Sequence, residues 1–323
     1  MDHILHSYYI DKMGKGTELP HEGLMDKHVD EGYIWIHMHG PAEATKKWLT
    51  DDRTVDSVAT RVLLSSDARP RTIAHENNIL INLRGVNLNP GSKPEDMIGI
   101  RFFVEKDRII SVERRPLRAT NDIAQKIKKQ KTSITPGGFL ASFALTLVDR
   151  MNPTIVALNE RIDELEEKVD GDEVDTTSYR ETLSTLRREA IMLRRYLAPQ
   201  RDALNTLALQ NVDWITDDDR LRVRDSADQA TRITEELEAI RERCAIVKDQ
   251  LVDQRAEQMN RNMMLLSIVA AIFLPLGLIS GMMGINVGGM PWTETNMGFW
   301  YVTAIVVIVG AIQLLVFKIL KWL

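Results

Sequence analysis

The chain changes character near residue 262. Upstream, charged and apolar positions interleave throughout, whereas from Asn262 to Phe317 the only charged residue is Glu294. Within that stretch Met263 to Met283 reads MMLLSIVAAIFLPLGLISGMM, and Phe299 to Phe317 reads FWYVTAIVVIVGAIQLLVF. A helix needs about 20 apolar residues to cross a bilayer core of roughly 30 Å, so each segment is long enough to span. One such segment alone could be a buried core helix. Two in tandem, joined by a short loop, predict a membrane domain over 263–323 with spans at about 263–283 and 299–317. Pro275 falls inside the first span, where a membrane helix tolerates it with a kink.

Ahead of the spans the period is helical. From about Asp218 no proline or glycine occurs before Pro275. Apolar or small residues recur at Ala230, Ile233, Leu237, Ile240, Cys244, Val247 and Leu251, alternating steps of three and four like a coiled-coil seam. One helix running from there through the first span would be roughly 90–100 Å long at about 1.5 Å per residue. Phe139 to Val169 reads as a further helix, ended by Gly171-Asp172, and Thr177 to Leu209 as another, interrupted near Pro199. Nearer the start, Tyr33 to Met38, Asn78 to Leu83, Ile98 to Val104 and Arg108 to Val112 alternate at the strand period, the last two separated by the turn-like Glu105-Lys106-Asp107. Pro41 to Leu49 reads as a helix opening at a proline. The expected fold is an α+β cytosolic domain (1–130), a cytosolic helical region (131–216), a stalk helix (217–262) and two C-terminal transmembrane helices.

Composition narrows the function classes. At 323 residues there is room for about two soluble domains, or one and a membrane part. The net charge of −5 is mild and no basic cluster is interleaved with aromatics, so nucleic acid is not an expected partner. Cys244 is the only cysteine, which excludes a disulfide frame and a Cys-based zinc knuckle and suits a reducing cytosol. On the seam it reads most simply as a small buried apolar residue. Met1 to Gly16 has no apolar core of a signal peptide, so the C-terminal helices are expected to direct insertion. Arg255 and Arg261 precede the first span, Lys318 and Lys321 follow the second, and the loop Gly284 to Gly298 has no Lys or Arg. Basic flanks stay in the cytosol. The expectation is a multi-pass protein of the cell inner (plasma) membrane with both termini cytosolic. Trp292, Trp300 and Trp322 sit where amphipathic rings favour the headgroup level.

Candidate chemistry is sparse outside the spans. No phosphate-binding glycine loop, nucleophile elbow or cluster of metal ligands is visible, so neither an enzyme nor a cofactor is expected. All seven histidines lie in the first 75 residues, and His37 and His39 share one strand face. That pair suits a metal site but lacks an evident third ligand, and core or surface histidines are the plainer reading. Glu160 to Asp175 holds nine acidic residues and two basic ones. It is either a solvated helix tip or a surface that concentrates cations. Glu294, the only charge of the outer loop, is placed to attract cations.

The loop itself holds Gly284-Ile285-Asn286, followed by Gly288-Gly289-Met290-Pro291. This resembles the Gly-Met-Asn signature of the CorA-type divalent metal ion transporters, which sits at the outer end of the first of two C-terminal helices. The long stalk helix, the two spans and the Lys321-Trp322-Leu323 end fit the same family along the whole chain. Ile285 stands where that signature has methionine. Together with the run Leu193-Arg194-Arg195-Tyr196-Leu197-Ala198-Pro199-Gln200-Arg201-Asp202 and the Gly-Gly-Met-Pro loop, it most resembles the zinc-transport (ZntB) branch. The resemblance implies a funnel-shaped homopentamer in the lipid bilayer, with the first span lining its axis and Zn²⁺ as the transported ion. Mg²⁺/Co²⁺ uptake is the alternative within the family. A membrane-anchored sensor or scaffold is the alternative of another class, but a tether has no need of the signature.

Counting back from Asn286 by three and four gives the axis-facing stripe that a pentamer implies. It holds Gly284, Gly281, Gly277, Leu274, Ala270, Ser267 and Met263, then Asn260, Ala256, Asp253 and Asp249 in the stalk. Inside the membrane the stripe has no carboxylate, imidazole or thiolate. Dehydrated zinc wants such ligands, and magnesium gives up its water reluctantly, so an ion is expected to cross at least partly hydrated. Asn286 and the carbonyls near Gly281 and Gly277 would touch the water shell. Leu274, Leu266 and Met263 would narrow the inner half into an apolar gate. Helix packing is the alternative role for the glycines. Asp249 and Asp253 would form acidic rings at the cytosolic mouth.

Overall fold

The computed structural model describes residues 3–320 apart from 26, 53, 67–68, 76, 170–175, 286 and 293–294. The chain divides into two compact units, Met1–Lys248 and Asp249–Leu323. The first begins with β1 (Ile4–Ile10), β2 (Gly16–Glu18), β3 (Tyr33–His39), α1 (Glu43–Asp51) and α2 (Ser57–Leu64). It continues with β4 (Arg71–His75), β5 (Asn78–Gly85), β6 (Ile98–Val104) and β7 (Arg108–Glu113). Four helices follow: α3 (Arg118–Lys128), α4 (Pro136–Asp149), α5 (Asn152–Val169) and α6 (Thr176–Ala208). Then α7 (Asp217–Met283) runs on into the second unit, which also holds α8 (Gly298–Ile319).

The strands form one sheet in the order β2-β1-β3-β7-β6-β5-β4. Only β3 and β7 pair in parallel, with Trp35 opposite Ile109, and every other neighbour is antiparallel. The alternation in Tyr33–Met38 separates two cores rather than core from water. Tyr33 and Trp35 join Phe102, Phe139 and Phe143 on one face. Ile34, Ile36 and Met38 join Trp48, Leu49 and Leu63 on the other. A strand covered on both faces is apolar nearly throughout, as β3 is. Burying each large apolar side chain contributes about 1.5–3 kcal/mol, so this two-sided sheet is the main source of stability in the first unit.

The helices differ from expectation at two prolines. The segment 139–169 is two helices, α4 and α5, parted at Arg150 and Met151. Pro153 causes the break: it offers no N–H and its ring collides with the carbonyl four residues back. Arg150 then turns outward to a two-point ion pair with Asp122, at 2.8 and 2.7 Å. Conversely α6 is not interrupted at Pro199 but runs through it. A mid-helix proline costs about 3 kcal/mol, which tertiary packing outweighs here. Leu197, Ala203 and Leu204 are buried beside it, and Thr72 on β4 donates to the Ala203 carbonyl at 2.7 Å. The helix expected from Pro41 starts at Glu43. Strands β1, β2 and β4 and helices α2 and α3 lie outside the expected elements, although α3 buries Ala119, Ile123, Ala124 and Ile127 at helical spacing. Gly171-Asp172, expected to end a helix, lies outside the described residues.

The long helix begins and is seated as its pattern requires. Thr216 and Asp219 close a reciprocal capping box: the Thr216 hydroxyl accepts from the Asp219 N–H at 3.1 Å, and the Asp219 carboxylate accepts from the Thr216 N–H at 3.0 Å. The seven seam residues Ala230, Ile233, Leu237, Ile240, Cys244, Val247 and Leu251 are all buried.

Candidate ion-conduction site

In the second unit, α7 and α8 are both long and apolar enough to cross a membrane. Only Leu251, Ile268 and Phe317 of the described apolar side chains there are buried. Toward α8, α7 turns Ile272, Pro275, Leu276, Ile279 and Met283, which are half-buried. The stripe counted from the signature lies on other faces: Met263, Ser267, Ala270, Leu274, Gly277, Gly281 and Gly284 are all exposed in the protomer. Leu266 is exposed as well, as is Phe273 on a different face. Gly277 and Gly281 have open space where a Cβ would be, so neither packs against α8. The glycine that does face its neighbour is Gly310 of α8, where a Cβ would lie 3.7 Å from Leu276. The Ser267 hydroxyl is spent inside the helix on the Met263 carbonyl at 2.8 Å.

The helix ends at the signature. The Gly284 N–H donates to the Ser280 and Gly281 carbonyls at 3.0 and 3.1 Å, closing the last turn. Ile285 follows, 53% exposed. Asn286 and Glu294 lie outside the described residues. Beyond them Trp292 meets Tyr301 at the head of α8, ring centres 5.9 Å apart and planes tilted by 53°. A Cβ on Gly298 would come within 2.6 Å of the Trp292 carbonyl, so glycine is needed at that turn. On the stalk side Asn260, Ala256, Asp253 and Asp249 are exposed, and neither aspartate makes an ion pair among the described residues.

The candidates of the first unit have structural partners. His37 is fully buried, its Nδ1 2.8 Å from the Ser111 hydroxyl and its Nε2 3.4 Å from the Glu113 carboxylate. The same carboxylate accepts from the Leu117 N–H and the Thr120 hydroxyl at 3.2 and 3.0 Å, so it caps α3. His6 stacks on His37 at 6.0 Å. Burial, and then the neighbouring His37, push the His6 pKa down. His39 sits at the strand end, half-buried, and its N–H donates to the His3 carbonyl. Among the described residues no group of three or more His, Cys, Asp or Glu is placed to hold a metal. In the acidic stretch, Asp163 and Glu166 both pair with Arg243 of α7, and Glu164 pairs with Lys168.

The run from Leu193 to Asp202 is a clamp between α6 and its surroundings. Arg194 pairs with Glu238 at 2.9 Å, Tyr196 lies 3.9 Å under the Arg84 guanidinium, and the Gln200 amide oxygen accepts from the Arg84 N–H at 2.6 Å. One residue of the second span escaped sequence reasoning. Gln313, its only amide side chain, donates from Nε2 to the Ala271 carbonyl of α7 at 3.3 Å. Its isolation in an apolar run was the available signal.

Residues 30–320 match the family described as CorA-like Mg2+ transporter protein. The chain is 35% identical over 323 residues to the divalent cation transporter CmaX of Pseudomonas aeruginosa, covering 99% of this chain and 97% of that one. It is 31% identical over 309 residues to the zinc transport protein ZntB of Pectobacterium carotovorum, covering 95% and 93%. Its structure superposes on that of full-length CmaX with a TM-score of 0.84 at 34% identity, over 99% of this chain and 98% of the other. The CorA magnesium transporter of Methanocaldococcus jannaschii gives the same TM-score at 19% identity, over 99% of both, and so shares the fold. The match along nearly the whole length, over the first unit and the two apolar helices alike, makes the chain a member of the CorA-like Mg2+ transporter family.

Proposed function

We propose that the protein transports divalent metal ions, Zn²⁺ foremost, across the cell inner membrane through the axis of a homopentamer lined by the first span. The observation that carries the reading is the full-length likeness to relatives named as a divalent cation transporter and a zinc transport protein. Two helices cannot enclose a path, so several protomers share one. The face from Met263 to Gly284 is apolar or small, uncharged and uncovered in the protomer. It therefore offers a passing ion neither a strong ligand nor a trap. The ion keeps water, and selection falls to the outer end, at Gly284, Ile285 and Asn286, with Glu294 drawing cations toward it. Gly281 and Gly277 let the backbone approach the water shell, and Leu274, Leu266 and Met263 form the apolar constriction below. Asn260, Asp253 and Asp249 continue the path into the cytosol. The departure of Ile285 from the Gly-Met-Asn signature favours Zn²⁺ over Mg²⁺ and Co²⁺.

The test is flux of Zn²⁺, Mg²⁺ and Co²⁺ into proteoliposomes, with and without a pH gradient. Zn²⁺ is expected to move fastest, and Asn286→Ala to remove most of that flux without loss of assembly. Mg²⁺ moving faster than Zn²⁺ would return the chain to the magnesium reading. Normal flux in a well-assembled Asn286→Ala protein would dismiss the amide as filter.

A further inference from the structure

Pro275 breaks the hydrogen-bond ladder of α7 at one definable place. Proline has no N–H, so the carbonyl four residues back, that of Ala271, loses its helical donor. In water the solvent would fill the gap. In hydrocarbon no water is at hand, and an unpaired carbonyl is costly. The structure supplies a donor from the neighbouring span: the Gln313 side chain reaches this same Ala271 carbonyl at 3.3 Å. Thr303 of that span is spent on its own helix, donating to the Phe299 carbonyl at 2.8 Å, and Trp300 and Tyr301 lie at its opposite end. The one amide available therefore meets the one carbonyl that the proline strips.

The surrounding packing makes the reach possible. Gly310, Gln313 and Phe317 recur at steps of three and four, on one face of α8. Gly310 faces Leu276 and lets the helices come close, and Phe317 is buried. The amide is retained at a cost, since its Oε1 has no partner among the described residues. Methionine or leucine would fill the space without that cost, so the Nε2 bond is what the position needs.

We infer that Gln313 is a positioning residue for the first span: it replaces the donor that Pro275 removes and ties the two spans so that they move together. Its role in transport rests on the first span lining the ion path; the donor replacement does not. A direct consequence is that Gln313 becomes dispensable once residue 275 has an N–H of its own.

The experiment is a double-mutant cycle on the full-length protein with Gln313→Met, Pro275→Ala and both together. Two readouts are taken: thermal unfolding of the assembled protein in detergent, and Zn²⁺ flux in proteoliposomes. With Pro275 present, Gln313→Met is expected to lower the unfolding temperature and to cut maximal flux about three- to tenfold, with half-saturation unchanged. In the Pro275→Ala background the same change should do little to either. Equal losses in both backgrounds, or no loss with Pro275 present, would overturn the donor replacement and leave Gln313 as packing. Coupling in stability with flux untouched would overturn the role in transport. If neither the variants nor the unsubstituted protein moves Zn²⁺, the zinc reading fails and the unfolding cycle alone still decides the donor replacement.

Discussion

Arg108 shows how much a single side chain organises in the first unit. It is fully buried, with Asp52 at 2.8 Å, Glu105 at 2.7 Å and the Thr54 hydroxyl beside it. A buried charge is tolerable only when paired and hydrogen-bonded, and removing one partner costs roughly 3–5 kcal/mol. Burial alone would raise the Asp52 pKa, but hydrogen bonds from Thr54 and the charge of Arg108 outweigh it and hold the carboxyl below its usual range. For Glu105 burial wins over Arg108, and its pKa is raised. The two therefore act in opposite senses as pH falls. Glu105 takes up its proton earlier folded than unfolded, so stability gains as pH drops from its raised value toward the ordinary one. Asp52 contributes stability above its ordinary pKa and loses it as pH falls through its lowered, folded one. Asp52→Asn should thus unfold several degrees below the unsubstituted protein at neutral pH. That gap should narrow in acid, as the native carboxyl protonates. Unfolding temperatures of both proteins across the pH range check this; a gap constant with pH would mean that the ion pair is not the cause. Neither the pairing nor the burial was legible beforehand, because Asp52 and Arg108 are 56 positions apart.

At the scale of elements, the caps decide where helices start. Asp219 completes the capping box of α7 and also accepts from the Thr135 hydroxyl at 3.0 and 2.9 Å. Thr135 in turn caps α4, accepting from the Gly138 N–H at 3.1 Å. Gly137 and Gly138 leave room for that carboxylate: a Cβ on either would sit 2.8 or 2.7 Å from its oxygens. One aspartate thus anchors two helix starts. Asp219→Ala should cost about 2–4 kcal/mol, a cap on each helix, and Asp219→Asn less because an oxygen remains. Chemical denaturation of the full-length protein measures both, and a loss below about 0.5 kcal/mol for the alanine would show the caps to be redundant. The start of α7 near Asp218 could be seen from the acidic first turn and the apolar seam beyond it. The contact with Thr135 could not, since it joins two elements that the sequence treats separately.

At the scale of the whole molecule, the proposed sensitivity to internal metal rests on Asp249 and Asp253. Both are exposed and without ion-pair partners among the described residues, where pairing with Lys248 or Arg255 would have been the unremarkable outcome. In the proposed pentamer each becomes a ring of carboxylates near the cytosolic mouth. Unit charges a few ångströms apart repel by about 1 kcal/mol in water and more near protein. A bound cation relieves that repulsion and draws the stalks together, so internal metal should stabilise one state of the path. The double change Asp249→Asn with Asp253→Asn is expected to weaken the dependence of flux on internal metal while the oligomer stays intact. An unchanged dependence would leave the two residues as ordinary solvated positions.

What the sequence determined by itself was local pattern. The two apolar runs, the seam from Ala230 to Leu251 and the β6–β7 pair each satisfy a single element locally, so the elements could be read directly from the sequence, and for the seam its burial as well. The tertiary structure decided what depends on distant partners. It set the order of the sheet, in which β3 finds β7 rather than a sequence neighbour. It carried α6 through Pro199 because packing against β4 and β5 outweighs the local penalty, while Pro153, without such support, parted α4 from α5. It also gave the Ala271 carbonyl a donor 42 residues away. A proline announces in the sequence that a hydrogen bond is missing; only the packed helices show which side chain replaces it.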